Sequence, residues 1–292
     1  MAIKKYKKKR VLILGSSGTL GSYLLTHSPK NITLLHNGIN KKKLDLNNIT
    51  NIKNLLKIKP DIIINCIASI DIELCQKNKK KTFKVNTMIT KNIFKIKKKY
   101  NLNFQYLFIS TDQMYNNDYS SSELSKTKIY NYYTESKIMA EKLVLKNKGT
   151  VLRTNFFGKV TGKKTFTDWI IDNFKKINSL FYLINDISFS PLRIHTLSRA
   201  IFRLVNNFPN RAEIFNLGAS SALTKEEFAI LFAKKMHVYT PKYISIEYKE
   251  LLNVKRSKNM SMCSKKFHKY FNFKINSLER EISNESKSYK SL

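Results

Sequence analysis

Tyr133 and Lys137, in NYYTESKIMAEK, stand four residues apart, the spacing that projects two side chains from one face of a helix. A tyrosine hydroxyl ordinarily ionises near about 10, too high for proton exchange at neutral pH; an adjacent ammonium favours the phenolate and draws that value toward working range. The pair alone is weak evidence, since 15 tyrosines and 46 lysines produce two such spacings, the other being Tyr270 to Lys274. Position separates them. Only the first follows an apolar run, QYLFIS, that ends in Ser110-Thr111-Asp112, close enough to bring Thr111 and Tyr133 together over one carbonyl oxygen.

The elements that must hold these groups begin at VLILGSSGTLG. A short β-prone run, Val11 to Leu14, breaks into glycines at 15, 18 and 21 and continues with Leu20, Tyr23, Leu24 and Leu25 at helical spacing. Strand, glycine turn and helix in that order make a dinucleotide site: Gly15 for the tight turn, Gly18 for close approach to a pyrophosphate, Gly21 for helix-to-strand packing. The spacing is GxxGxxG rather than the simpler GxGxxG, and the plainer alternative is a glycine turn with no ligand. Three of the chain's eight glycines fall in those seven residues, which favours the ligand.

Downstream, Ile32 to Leu35 reads as a second strand ending at His36-Asn37-Gly38. No acidic residue stands there to hold ribose hydroxyls; Lys41, Lys42 and Lys43 follow, then Asp45 and Leu46, so a 2′-phosphate is received at least as well as a free ribose. Ile52 to Ile58 is a helix pattern closed by Pro60. Asp61 to Ala68 (DIIINCIA) reads as a strand buried on both faces, with an amide, Asn65, that must find partners. Thr82 to Lys98 reads as one long helix carrying Asn86. This alternation predicts a Rossmann-type doubly wound parallel α/β sheet. Gly15, Ala68 to Ser69 and Ser110 to Asp112 then fall at the carboxyl edge, where ligands bind.

The second half alternates less cleanly and is expected to be a smaller α/β substrate lobe. The boundaries predicted are a dinucleotide-binding domain over 1–155 and the lobe over 156–292, with the chain returning to the first near 187–218, where IFNLG (Ile214 to Gly218) looks like a strand of the main sheet. Thr224 to Lys235 is a helix with Thr224 as N-cap and Glu227 three residues on. The polar tail from Ser277 is expected to fray.

Composition bounds the function. A chain of 292 residues, 42% apolar, can bury a sizeable core, and no apolar run reaches membrane-spanning length. The net charge of +34 would suit a nucleic-acid binder, yet eight of the 54 basic residues are arginine and the lysines are spread end to end, a residue bias rather than a designed patch. What remains is a positive field that attracts an anionic substrate. Cys66, Cys75 and Cys263 show no metal-ligand spacing and His195, His237 and His268 stand alone, so no metal is expected, and a reducing cytoplasm fits.

GSSGTLG, INCIASIDIELCQKN, KVNTMITKN, FISTDQMY, YYTESKIMAEK and VLRTNFFG, followed by INDISFSP, IFNLGASSALTKEEFA and RSKNMSMCSKKF, resemble the extended short-chain dehydrogenase/reductases, specifically the dTDP-4-dehydrorhamnose reductase group, over nearly the whole chain. The resemblance implies an NAD(P)H-dependent reductase of the 4-keto group of a nucleotide-linked deoxysugar, serving cell-surface polysaccharide precursors. The alternatives are an epimerase or dehydratase of the same fold, or a noncatalytic nucleotide-binding regulatory subunit. It implies that Thr111 binds the keto oxygen, Tyr133 donates the proton and Lys137 holds the nicotinamide ribose while tuning Tyr133.

The cofactor set is Gly15, Ser17, Gly18, Thr19, Leu20, Gly21, Asn37, Asp45, Leu46, Ala68, Ser69, Asn86 and Ser110, together with Tyr133 and Lys137; the cofactor is NADP or NAD, NADPH being slightly favoured. The substrate set is Asp112, Arg153, Asp186, Pro191, Arg256 and Asn259, with a structural role for Arg153 as the alternative. The partners expected are a nucleotide sugar and a homodimer mate, with no nucleic acid and no membrane. Departures from the group's pattern are Thr134 where it has glycine, no proline shortly before Tyr133, and Ser257 and Ser261 where it has proline and arginine.

Overall fold

The computed structural model describes residues 8–36, 45–117, 119–176, 180–238 and 242–290. In chain order these form β1 (Lys9–Leu14), α1 (Thr19–Thr26), β2 (Ile32–His36), α2 (Ile49–Leu56), β3 (Ile62–Asn65), α3 (Ile72–Lys77), α4 (Lys79–Phe83), a π-helical turn (Lys84–Met88), α5 (Ile89–Lys99), β4 (Gln105–Ser110), α6 (Tyr132–Lys146) and β5 (Thr150–Thr154). There follow β6 (Phe156–Phe157), α7 (Phe166–Phe174), β7 (Phe181–Ile184), β8 (Ser188–Phe189), β9 (Leu192–Arg193), α8 (Ile194–Asn206), β10 (Glu213–Leu217), β11 (Leu223–Thr224), α9 (Lys225–Met236), β12 (Tyr243–Ile246), α10 (Tyr248–Leu251), α11 (Lys265–Phe271) and α12 (Leu278–Lys290).

Six strands make one parallel sheet in the order β10-β5-β4-β3-β1-β2. Strand order reverses about β1, so the crevice between the carboxyl ends of β1 and β3 is the switch point where such sheets take ligands. Both faces are covered, as parallel strands require. Val11 and Ile13 of β1 and Ile62 and Ile64 of β3 join one apolar layer; Leu12, Leu14 and Ile63 join the other. The first layer runs without a break into the second half of the chain through Phe157, Phe189, Phe228 and Phe232. β10 joins the sheet beside β5 with Phe215 opposite Leu152, as IFNLG predicted.

Two elements differ from expectation. The helix predicted over Thr82 to Lys98 is interrupted by the π-helical turn that carries Asn86, an extra residue per turn that re-aims a side chain and is not visible in apolar periodicity. The tail does not fray: α12 packs on α9, with Leu278 and Ile282 fully buried. Its polar look misleads because Glu285 is buried against Arg193 (2.6 Å) and Glu281 accepts from Asn276 (2.7 Å) and the Arg193 amide (3.1 Å). Among the described residues no helix is long and apolar enough to cross a membrane, and no group of three or more His, Cys, Asp or Glu side chains is placed to hold a metal.

Candidate active site

Gly15 takes φ +80°, and a Cβ there would sit 3.0 Å from the backbone of Cys66 and Ile67 at the end of β3. A Cβ on Gly21 would lie 2.2 Å from the Gly15 carbonyl oxygen, so no other residue fits that contact. Gly18 heads α1, where no side chain caps the first turn; uncapped N–H groups at a helix N-terminus are suited to phosphate oxygens. A cavity of about 500 Å³ opens here, lined by Gly18, Thr19 and Leu20, by Ala68 beyond β3, by Ser110, Thr111 and Asp112 at the end of β4, and by Tyr133 and Lys137 of α6. A glycine cradle that a methyl would fill, an uncapped helix end and this volume fit a dinucleotide.

The first turn of α6 is fixed by Asn131, whose side-chain oxygen accepts from the Thr134 amide (3.0 Å) and hydroxyl (3.1 Å). Thr134 is fully buried and so has a structural use where the group carries glycine. Tyr133 and Lys137 share one face of the helix and both reach the cavity. Burial pushes the Tyr133 phenol well above its usual range, opposed by a hydrogen bond with Thr111 and reinforced by the charge of Asp112. The Lys137 ammonium does not produce the downward shift expected from its spacing: it donates to the Ile109 carbonyl (2.7 Å) and lies 4.0 Å from the centre of the Phe108 ring. Burial lowers Lys137 itself to about 8, with the Glu141 carboxylate holding it up. At neutral pH the site therefore presents a protonated phenol beside a charged amine, the protonation state of a proton donor rather than a base.

Asp112 is 1% exposed. One oxygen accepts from the Asn155 amide (2.8 Å) and the other from the Thr111 hydroxyl (3.3 Å). Burial raises its carboxyl to about 6 against these bonds and against the ammonium of Lys225. Lys225 is lowered by burial, held up by Asp112 and pushed down by Arg256; it rests over the rings of Phe189 (4.6 Å) and Phe166 (5.5 Å).

The opposite wall belongs to the second half of the chain and was not singled out in the sequence. Asn155, Phe156 and Gly158 follow β5, while Thr165 and Phe166 open α7, where Thr165 and Asp168 form a reciprocal cap. TNFFG was the available signal, but which of its residues face a cavity depends on α12, whose Glu285 accepts from the Lys159 amide (2.7 Å) and lies 2.9 Å from where a Gly158 Cβ would sit.

Several predicted site residues support the cavity or stand apart from it. Asn86 donates to the Ser69 carbonyl (3.1 Å) and accepts from its amide (2.7 Å), fixing the loop after β3. Asn65 bonds that loop through the Ile67 amide (2.9 Å). Leu46 is a core residue, 4% exposed, and Asp45 accepts from Asn47 (2.9 Å) at the entry to α2. Neither lines the cavity. Asn37, like Lys41 to Lys43, lies outside the described residues.

On the substrate side Arg153 of β5 is buried in an ion pair with Glu141 (2.6 Å) and does not line the cavity, the structural alternative. Asp186 accepts from the Tyr248 amide (2.8 Å) and faces Lys258 (2.9 Å), Pro191 is buried between β8 and β9, and Asn259 donates to Asn117 (2.6 Å). These three do not line it either. Arg256 pairs with Glu73 (3.1 Å) while its Nε is buried without a partner. Ser257, where the group has proline, bonds the Tyr115 carbonyl.

A family model described as RmlD substrate binding domain matches residues 9–290. No curated protein sequence matches the chain. Among solved structures, the chain is similar to a dTDP-4-dehydrorhamnose reductase from Bacillus anthracis in complex with NADP (TM-score 0.86, 21% identity, 96% of this chain and 99% of that one). It is also similar to dTDP-4-dehydrorhamnose reductase from Yersinia enterocolitica (TM-score 0.83, 18% identity, 97% and 100%). RMD from Pseudomonas aeruginosa complexed with NADPH gives TM-score 0.79 at 17% identity, covering 98% and 100%.

Proposed function

The chain belongs to the RmlD substrate binding domain family, and from that premise we propose that it is an NAD(P)H-dependent reductase of the 4-keto group of a nucleotide-linked deoxysugar, of the dTDP-4-dehydrorhamnose reductase kind. The observation that carries the reading is that Thr111, Tyr133 and Lys137 border one cavity with the glycine-turn helix. Gly15 to Gly21, the loop Ala68 to Ser69 and Ser110 hold the cofactor, which supplies the hydride. NADPH is favoured over NADH by the absence of an acidic residue after β2.

Thr111 and Tyr133 aim their hydroxyls at the keto oxygen, where negative charge develops as the carbon is reduced. Tyr133, held protonated by burial, gives its proton to that oxygen, and the Lys137 charge offsets the phenolate left behind. Phe156 and Phe166 close the sugar side against water. Residues 1–155 supply the cofactor half and 156–292 the sugar half, in a cytoplasmic homodimer; the three free cysteines suit that reducing compartment.

The test is loss of NADPH absorbance on mixing with nucleotide-linked 4-keto sugars. Stoichiometric consumption excludes an epimerase or dehydratase, which regenerates its cofactor, and excludes a regulatory subunit. Tyr133→Phe lowers turnover by roughly a thousandfold and leaves NADPH affinity within about twofold. Turnover that survives this substitution overturns the assignment.

A further inference from the structure

Consecutive residues of β4 grip the two charged side chains of α6 that face it. The Ile109 carbonyl accepts from Lys137 (2.7 Å), and the Ser110 hydroxyl donates to Glu141 (2.6 Å), one helical turn further on. Arg153 of β5, paired with Ser110 across the β4–β5 ladder, closes the Glu141 carboxylate with Nε at 3.0 and 3.2 Å and a terminal nitrogen at 2.6 Å. Its other terminal nitrogen donates to the Tyr115 hydroxyl (2.5 Å), which donates to Asn216 (3.0 Å). Both side chains of the pair are over nine-tenths buried.

Stability alone does not call for this arrangement, because a buried ion pair replaced by apolar residues of like volume is often neutral or stabilising. What an apolar pair cannot supply is negative charge one turn from Lys137. Two ionisable side chains act on that ammonium among the described residues, Glu141 from its own helix and Cys66 from the end of β3. Burial pushes the Cys66 thiol up to about 12, so it is neutral at working pH and contributes no charge. Arg153 from β5 holds the Glu141 carboxylate by hydrogen bonds from Nε and a terminal nitrogen and is held charged by it in turn.

We propose that Glu141 is a positioning residue for Lys137: its carboxylate, fixed by Arg153 and Ser110, keeps the Lys137 amine charged and seated on the end of β4 beside Tyr133. The proposal rests on the reductase reading only for its consequence in turnover; the charge state of Lys137 is measurable without it.

The experiment follows the side-chain carbon resonances of isotope-labelled lysine against pH in the full chain, with Lys137 assigned through Lys137→Met. In the parent protein the Lys137 resonances should titrate at about 8, below those of the exposed lysines. In Glu141→Gln/Arg153→Met, which leaves no buried cation unpaired, that midpoint falls by about one pH unit, a tenfold change in the charged-to-neutral ratio. In Arg153→Met alone, which strips the buried carboxylate of the guanidinium that fixes it, the midpoint falls as well. The alkaline limb of turnover moves with it, while turnover on the acid side stays within about twofold of the parent. A midpoint that stays in place in either folded variant, or moves in the opposite sense, overturns the proposal. If the double variant does not fold, Arg153→Met decides the question. Surviving turnover in Tyr133→Phe would remove the reductase reading and leave the lysine titration to judge Glu141 by itself.

Discussion

Replacing Asp112 with asparagine should make the protein more stable at neutral pH. The carboxyl is 1% exposed and burial lifts it from the ordinary 3.8 to about 6. A native group that holds its proton to higher pH than the unfolded chain favours the fold while both are protonated, so stability falls as pH rises from about 4 to about 6 and stays lower above that. A rise of about two pH units in the ionisation midpoint corresponds to roughly 3 kcal/mol. Asparagine keeps the oxygen that accepts from Asn155 and places an amide donor where the Thr111 hydroxyl now donates, and it does not ionise. Urea unfolding of parent and variant between pH 4 and pH 8 isolates this group, because every other carboxylate is common to both. The difference should open by roughly 3 kcal/mol in the variant's favour across that interval, a midpoint displacement of about 1 M if the urea slope is near 3 kcal/mol per molar. A difference that is flat with pH, or that favours the parent at pH 7, refutes the argument. A side chain retained at such a cost beside Thr111 points to use in the reaction, since functional sites commonly trade stability for activity.

Two further expectations concern the frame. Gly21→Ala forces a methyl toward a carbonyl 2.2 Å away; it should cost about 2 kcal/mol of stability as the helix lifts off the turn and weaken NADPH binding by about tenfold, read by thermal melting and cofactor fluorescence titration. Thr224→Ala removes the acceptor for the Glu227 amide (3.1 Å) and should lower stability by about 1 kcal/mol with the cofactor affinity unchanged, measured in the same two assays.

What the chain disclosed in advance is what short-range chemistry determines. The turn at Gly15, the cap at Thr224 and the run from Gln105 to Ser110 each depend on a few adjacent residues, and each stands where the spacing placed it. Less legible are the residues whose partners are distant. Arg153 lies next to Thr154 and Asn155, which line the cavity, yet the alternation of β5 turns it inward toward Glu141. The π-helical turn at Asn86 leaves the apolar spacing nearly undisturbed, and α12 looks like a solvated tail until Arg193 is known to wait for Glu285. The phenol at 133 shows the same limit in electrostatics: spacing gave its neighbour, but burial decided the sign of the shift.

The sheet's last strand, Glu213–Leu217, has a consequence for how the protein is made. It pairs with a strand that ends at Thr154, so during synthesis that edge stays bare until about three quarters of the chain has emerged from the ribosome. Over that interval the nascent protein shows an open row of backbone donors and acceptors flanked by Val151 and Leu152, the kind of template on which chains stick to one another. Expression of a gene cut at residue 155 should therefore deliver inclusion bodies, and chaperones that mask exposed strands should matter most for this protein before residue 217 is added.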